Sequence, residues 1–193
     1  MLSKLSMAIR EKTSVKSFLV LLIIYTIVYS VFFYADVPFG LSKMKQDAGT
    51  VNILDVKFFY TANQAYETLD QLGKEGQAIY LNILAADMIY PVTLGLFLAV
   101  TITIVFQNIL PSDSHLYLLN TLPLVNTLFD YCENTTTFIL LRNYPMHLNI
   151  LATIGGFLTL AKNLAGFLSV VILSTSLLVL VYQKLKGASK KGT

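Results

Sequence analysis

Residues 150–182 form an almost unbroken apolar run, and residues 17–34, 81–106 and 116–141 are shorter runs of the same kind. An α-helix rises ~1.5 Å per residue, so ~20 apolar residues cross the hydrocarbon of a bilayer. Each run approaches or exceeds that length, and the last exceeds it enough to demand tilt or protrusion. Only 13% of the 193 residues are charged and 55% are hydrophobic, whereas a soluble domain carries nearer ~25% charged residues. The expected fold is therefore all-α: an integral membrane four-helix bundle, with residues 1–193 as one transmembrane domain in a lipid bilayer.

Charge placement orients the bundle. Lys4, Arg10, Lys12 and Lys16 precede the first run, and Lys184, Lys186, Lys190 and Lys191 follow the last. Basic flanks stay cytoplasmic, so both termini are expected inside, as an even number of spans requires. The formal charge of +3 thus reads as a topology signal, and no nucleic-acid partner is expected. Phe33, Tyr34 and Ala35 at the end of the first run lack the small-residue pattern of a cleavage site, which marks a retained span.

Residues 36–80 then form the outer segment, where Asp36, Asp47, Asp55, Glu67, Asp70 and Glu75 outnumber Lys43, Lys45, Lys57 and Lys74. Pro38, Gly40 and Gly49 mark irregular chain. From Asp55 to Leu72, the apolar residues Phe58, Phe59, Ala62, Ala65, Tyr66, Leu69 and Leu72 recur at helical spacing, with Gly73 as C-cap. This short amphipathic helix is expected to lie across the outer mouth or along the headgroups, with Phe58, Phe59, Tyr60 and Tyr66 at the interface.

The third run carries the chemistry. Asn126, Asp130 and Glu133 stand at i, i+4 and i+7, one stripe of a helix, with Thr127 and Asn134 beside it. Pro123, a turn earlier, is expected to kink the span. In the fourth run Gly155, Thr159, Lys162, Gly166 and Ser169 form a small and polar face suited to close helix approach. Asp130 and Lys162 fall at similar depths, ~18–20 Å along their helices, so Lys162 is expected to pair with Asp130 or Glu133. Asp87, followed by Pro91, lies nearer the outer mouth of the second run. Tyr131 and Cys132 read as packing, and Asn163 as an interhelical hydrogen-bond donor.

Asp87, Asp130 and Glu133 face one cation, Lys162, and an uncompensated buried charge is costly. Proton uptake, water or a bound cation must relieve the excess. Ionisable groups within a membrane mark function by default, so the candidate ligand-binding set is Asp87, Asn126, Asp130, Glu133, Asn134, Thr159 and Lys162. The ligand classes are a small cation or amine, a proton, or an amphipathic lipid. Two other classes compete: a lipid-acting enzyme using Asp130 and Glu133 as paired carboxylates, and an accessory subunit whose buried charges only fix helix pairing. No catalytic residue is assigned. No metal site or cofactor is expected, because Cys132 is alone and His115 and His147 fall in loops on opposite sides. The sequon Asn134-Thr135-Thr136 lies within a span and is expected to stay unmodified. A homo-oligomer through the fourth span is a further expectation.

Overall fold

The computed structural model describes residues 1–47, 49–50 and 52–189, and every regular element among them is helical. In order these are α1 (Leu2–Lys12), α2 (Val15–Tyr34), α3 (Leu41–Asp47), a 3-10 turn (Leu54–Val56), α4 (Ala62–Ala86), α5 (Tyr90–Ile109), a second 3-10 segment (His115–Thr121), α6 (Leu122–Asn143) and α7 (Asn149–Ser189). Three stretches have the length and apolarity to cross a membrane: Val15–Tyr34, Ala62–Ile109 and Asn149–Gly187. That supports a membrane protein. α6 is long enough at 22 residues, but its Asn, Asp, Glu and Thr side chains keep it out of that apolar class.

Local signals set the boundaries. A capping box starts α2, where the Ser14 hydroxyl accepts from the Ser17 amide at 3.1 Å and the Ser17 hydroxyl accepts from the Ser14 amide at 2.8 Å. Thr61 and Gln64 start α4 in the same way. Gly73, expected as a helix end, has φ 60° and ψ −177° and breaks α4 into two halves. Glycine adopts that conformation without steric cost. The Gln77 amide reaches back over the break to donate to the Leu69 carbonyl at 2.8 Å, a group the break leaves without a helical donor.

Two of the expected spans are interrupted. The run 81–106 is divided at Asp87, the C-cap of α4, and Pro91 falls in the first turn of α5. The run 116–141 begins as 3-10 chain, and Pro123 opens α6 rather than kinking it. The reason is shared: proline costs nothing in a first turn, where amides have no helical partner anyway. α1 was not foreseen as a helix.

α6 and α7 form the most extensive helix contact, and α5 packs against α2, α6 and α7. At one end, α1 docks on the α5–α6 link. Ser6 donates to the Tyr117 carbonyl at 2.9 Å, and the Arg10 guanidinium sits 3.7 Å over the Tyr117 ring. Ile102, Phe106 and Tyr117 are buried there, against Ile172 and Leu173 of α7. At the other end, Ala65, Leu69 and Leu72 from the first half of α4 join Leu140 and Leu141 of α6 and Ala152 of α7. The amphipathic helix therefore caps the bundle, starting at Ala62 rather than near Asp55. Tyr60 and Tyr66 are fully buried, not interfacial as expected; Phe58 and Phe59 are exposed. The Tyr66 hydroxyl accepts from the Leu148 amide, and its ring stacks on His147, because a helix laid on the α6–α7 turn must satisfy that turn's amides.

Candidate functional site

Two stripes of α6, offset by one residue, do different work. The first holds Asn126, Asp130 and Glu133. Glu133 is fully buried; Thr159 donates to its Oε1 at 2.5 Å, and Lys162 forms an ion pair with Oε2. Asp130 stands 4.0 Å from the Lys162 ammonium, so of the two expected pairings Glu133 makes the closer one. Asn126 donates to the Lys162 backbone carbonyl at 2.7 Å, which locks α6 against α7 at this depth.

The second stripe is Thr127, Tyr131 and Asn134, and it holds the α4–α5 break. Thr127 donates to the Pro91 carbonyl at 2.8 Å, Tyr131 to the Met88 carbonyl at 2.7 Å, and Asn134 to Asp87 Oδ2 at 3.0 Å. Carbonyls freed by an interrupted helix need donors when buried, and α6 supplies them. Tyr131 thus does more than pack, and Cys132 is exposed rather than packed.

The outer segment contributes what the sequence did not signal. Residues 53–60 run inward along α7. Asn163 donates to the carbonyls of Lys57 and Phe58 at 2.9 and 3.2 Å, and the Lys162 ammonium to that of Asp55 at 3.4 Å. Those α7 residues lie roughly 20 Å along the helix from its start. Asn163 therefore binds this loop, not a neighbouring helix. Gly156 makes room for the descent: a Cβ there would overlap the Tyr60 carbonyl oxygen. Ile53 and Leu54 are buried beside the fully buried Tyr80, whose hydroxyl accepts from the Leu54 amide at 3.1 Å and donates to the Asp55 carboxylate. Non-helical backbone at such depth is tolerated where protein buries it.

Tyr80→Phe removes both of those bonds and leaves the Leu54 amide unpaired. It is expected to cost about 1–3 kcal/mol, read as lowered thermal stability in detergent with faster hydrogen exchange at Leu54. Unchanged exchange there would show that the loop is held by other contacts.

These elements enclose a cavity of about 120 Å³. Asp55, Asp87, Asp130 and Lys162 line it, together with Phe32, Phe33 and Tyr90. Of the residues expected to bind ligand, Asp87, Asp130 and Lys162 reach this space. Glu133 and Thr159 stand behind Lys162, Asn126 fixes the α6–α7 register, and Asn134 holds Asp87. Asp55 is the acid missed. Its one signal was the apolar stretch around it, Ile53-Leu54 and Phe58-Phe59-Tyr60, too greasy for an exposed loop and lacking a period. Buried carboxylate oxygens without hydrogen-bond donors remain at Oδ1 of Asp55 and of Asp130. Comparison with protein-family models, curated proteins and solved structures gives no match to this chain, so geometry alone carries the functional reading.

Proposed function

We propose that this chain is a four-span membrane protein whose acidic pocket binds a small cation, a proton or an amphipathic ligand carrying positive charge. One observation carries the reading. The cavity gathers Asp55, Asp87 and Asp130, while its lysine is already committed to Glu133. Buried oxygens without donors represent an unmet demand for positive charge or protons. In this reading Lys162 neutralises and orients Glu133, and the other carboxylates receive the ligand.

The four-helix reading draws support from the outward face of α6. Leu128, Phe138 and Ile139 are its exposed large residues, and all are apolar, while both polar stripes face protein. Such a helix suits lipid outside and polar partners within. The cytoplasmic placement of both termini rests on the basic flanks and on α1 docking beside the α5–α6 link, as a shared side requires. α7 exposes Leu178, Val181 and Leu185 toward its end, the surface through which a homo-oligomer would form. The accessory-subunit reading draws on the Lys162–Glu133 pair but leaves Asp55, Asp87 and Asp130 without explanation. Glu133 does not line the cavity with Asp130, so the paired-carboxylate enzyme gains nothing from the geometry.

Native mass spectrometry of gently solubilised protein tests the pocket. Wild type is expected to retain a non-protein mass that Asp130→Asn and Glu133→Gln lose, Asp130→Asn directly and Glu133→Gln by releasing Lys162 toward the remaining acids. Apo masses throughout, with no melting shift on adding inorganic or organic cations, would overturn the reading. The same spectra report oligomeric state.

A further inference from the structure

We propose that the cavity takes an organic ammonium group, a reading that rests on the cation-binding function above and names its ligand class. The carboxylates come from separate elements: Asp55 from the inward loop, Asp87 from the α4–α5 break and Asp130 from α6. They ring the space rather than converge. Among the described residues no three Asp, Glu, His or Cys side chains stand close enough to share one metal ion. Asp87, only 8% exposed, lines the cavity and takes its one hydrogen bond at Oδ2, from Asn134. With the donorless oxygens of Asp55 and Asp130, acceptor groups thus face the space from several directions. Charge distributed in this way matches a cation with bulk.

The remaining wall is aromatic. Phe32 and Tyr90 stack with centroids 5.6 Å apart, and Phe33 meets Tyr90 edge-on at 5.4 Å. Aromatic faces attract cations, above all weakly hydrated ones such as alkylammonium groups. A small metal ion would exchange its hydration shell for hydrocarbon along this wall, whereas an alkylammonium brings apolar surface of its own. The site already accommodates one alkylammonium, the side chain of Lys162. At about 120 Å³ the cavity equals roughly four waters at ~30 Å³ each, room for an ammonium bearing a few carbons.

That ammonium has two sources, a free amine or the amine headgroup of a lipid. A lipid would leave its chains outside, and a groove lined by Leu81, Leu84, Met88 and Phe138 also includes Asn134. The Asp87–Asn134 hydrogen bond is therefore what stands between groove and cavity.

The test is isothermal titration calorimetry on the full-length protein in detergent, with tetramethylammonium chloride and ethanolamine hydrochloride as probes. Potassium chloride at equal ionic strength is the comparison. Saturable binding of an ammonium probe is expected, weakened at least roughly fivefold by Phe33→Leu and abolished by Asp87→Asn. Circular dichroism melting confirms that each variant is folded, and Phe33, half-buried, keeps an apolar side chain when replaced by leucine. Native mass spectra from nanodiscs of phosphatidylethanolamine or of phosphatidylglycerol alone separate the sources. A retained phosphatidylethanolamine mass assigns the headgroup, and probe binding without retained lipid assigns a free amine. Potassium binding as tightly as the ammonium probes, or Phe33→Leu binding as wild type does, overturns the ammonium assignment while cation binding stands. Wild type that binds neither ammonium nor potassium overturns both.

Discussion

Lys162→Met is expected to destabilise the protein by roughly 3–5 kcal/mol, because it leaves a fully buried carboxylate, Glu133, without its cation. Thr159 alone would remain on Glu133, and the Asp55 carbonyl would lose its donor. Lys162→Met combined with Glu133→Gln removes both charges and is expected to recover most of that loss, since a buried ion pair replaced as a unit is often nearly neutral. Thermal or denaturant unfolding in a fixed detergent gives the comparison. The double variant also separates readings of function. Recovered stability without ligand binding fits a pocket that needs Lys162 in place. Recovered stability with every ligand-dependent property intact would fit a pair that only fixes helix register, and would sink the pocket.

The second large effect is expected at Gly156. Gly156→Ala places a Cβ against a backbone carbonyl, that of Tyr60, which no rotamer change can move away. Overpacking costs about 1–3 kcal/mol where side chains can adjust, and this site is expected at or above the top of that range. Gly187 provides the control on the same helix. A Cβ there meets nothing within 4 Å, so Gly187→Ala is expected to gain about 0.5–1 kcal/mol from helix propensity. Equal effects at the two positions would mean that the inward loop does not rest on α7. Limited proteolysis gives a second readout, since a displaced loop exposes Lys57.

Much of this was legible from residue pattern. The apolar runs located α2, α5 and α7 because a lipid-facing helix is apolar around its whole circumference, and that signal needs no knowledge of neighbours. The stripe Asn126, Asp130, Glu133 and the face Thr159, Lys162 were found because helical spacing alone puts them in register. Gly73 was read correctly as a break because only backbone geometry was at stake. What escaped depends on tertiary burial. Ile53–Tyr60 has no period, so nothing local distinguishes a loop on the surface from one drawn into the bundle, and Asp55 was lost with it. Tyr60 and Tyr66 were assigned to the headgroups because tyrosine suits that zone, whereas their hydroxyls could be judged only with Gly155 and Leu148 in place beside them. Tyr131 was undervalued for the same reason: its acceptor is a carbonyl freed by a break 43 positions away.

The one-residue offset between the two stripes of α6 has a mechanical consequence. Successive residues on a helix differ by ~100° in direction, so the stripes point to different neighbours while sharing one rigid axis. Any torque on α6 that re-aims Asp130 also carries Thr127, Tyr131 and Asn134 off the chain between Asp87 and Pro91. The geometry of the acids and the closure of the interrupted helix therefore form a single degree of freedom, and a load applied at either is felt at the other.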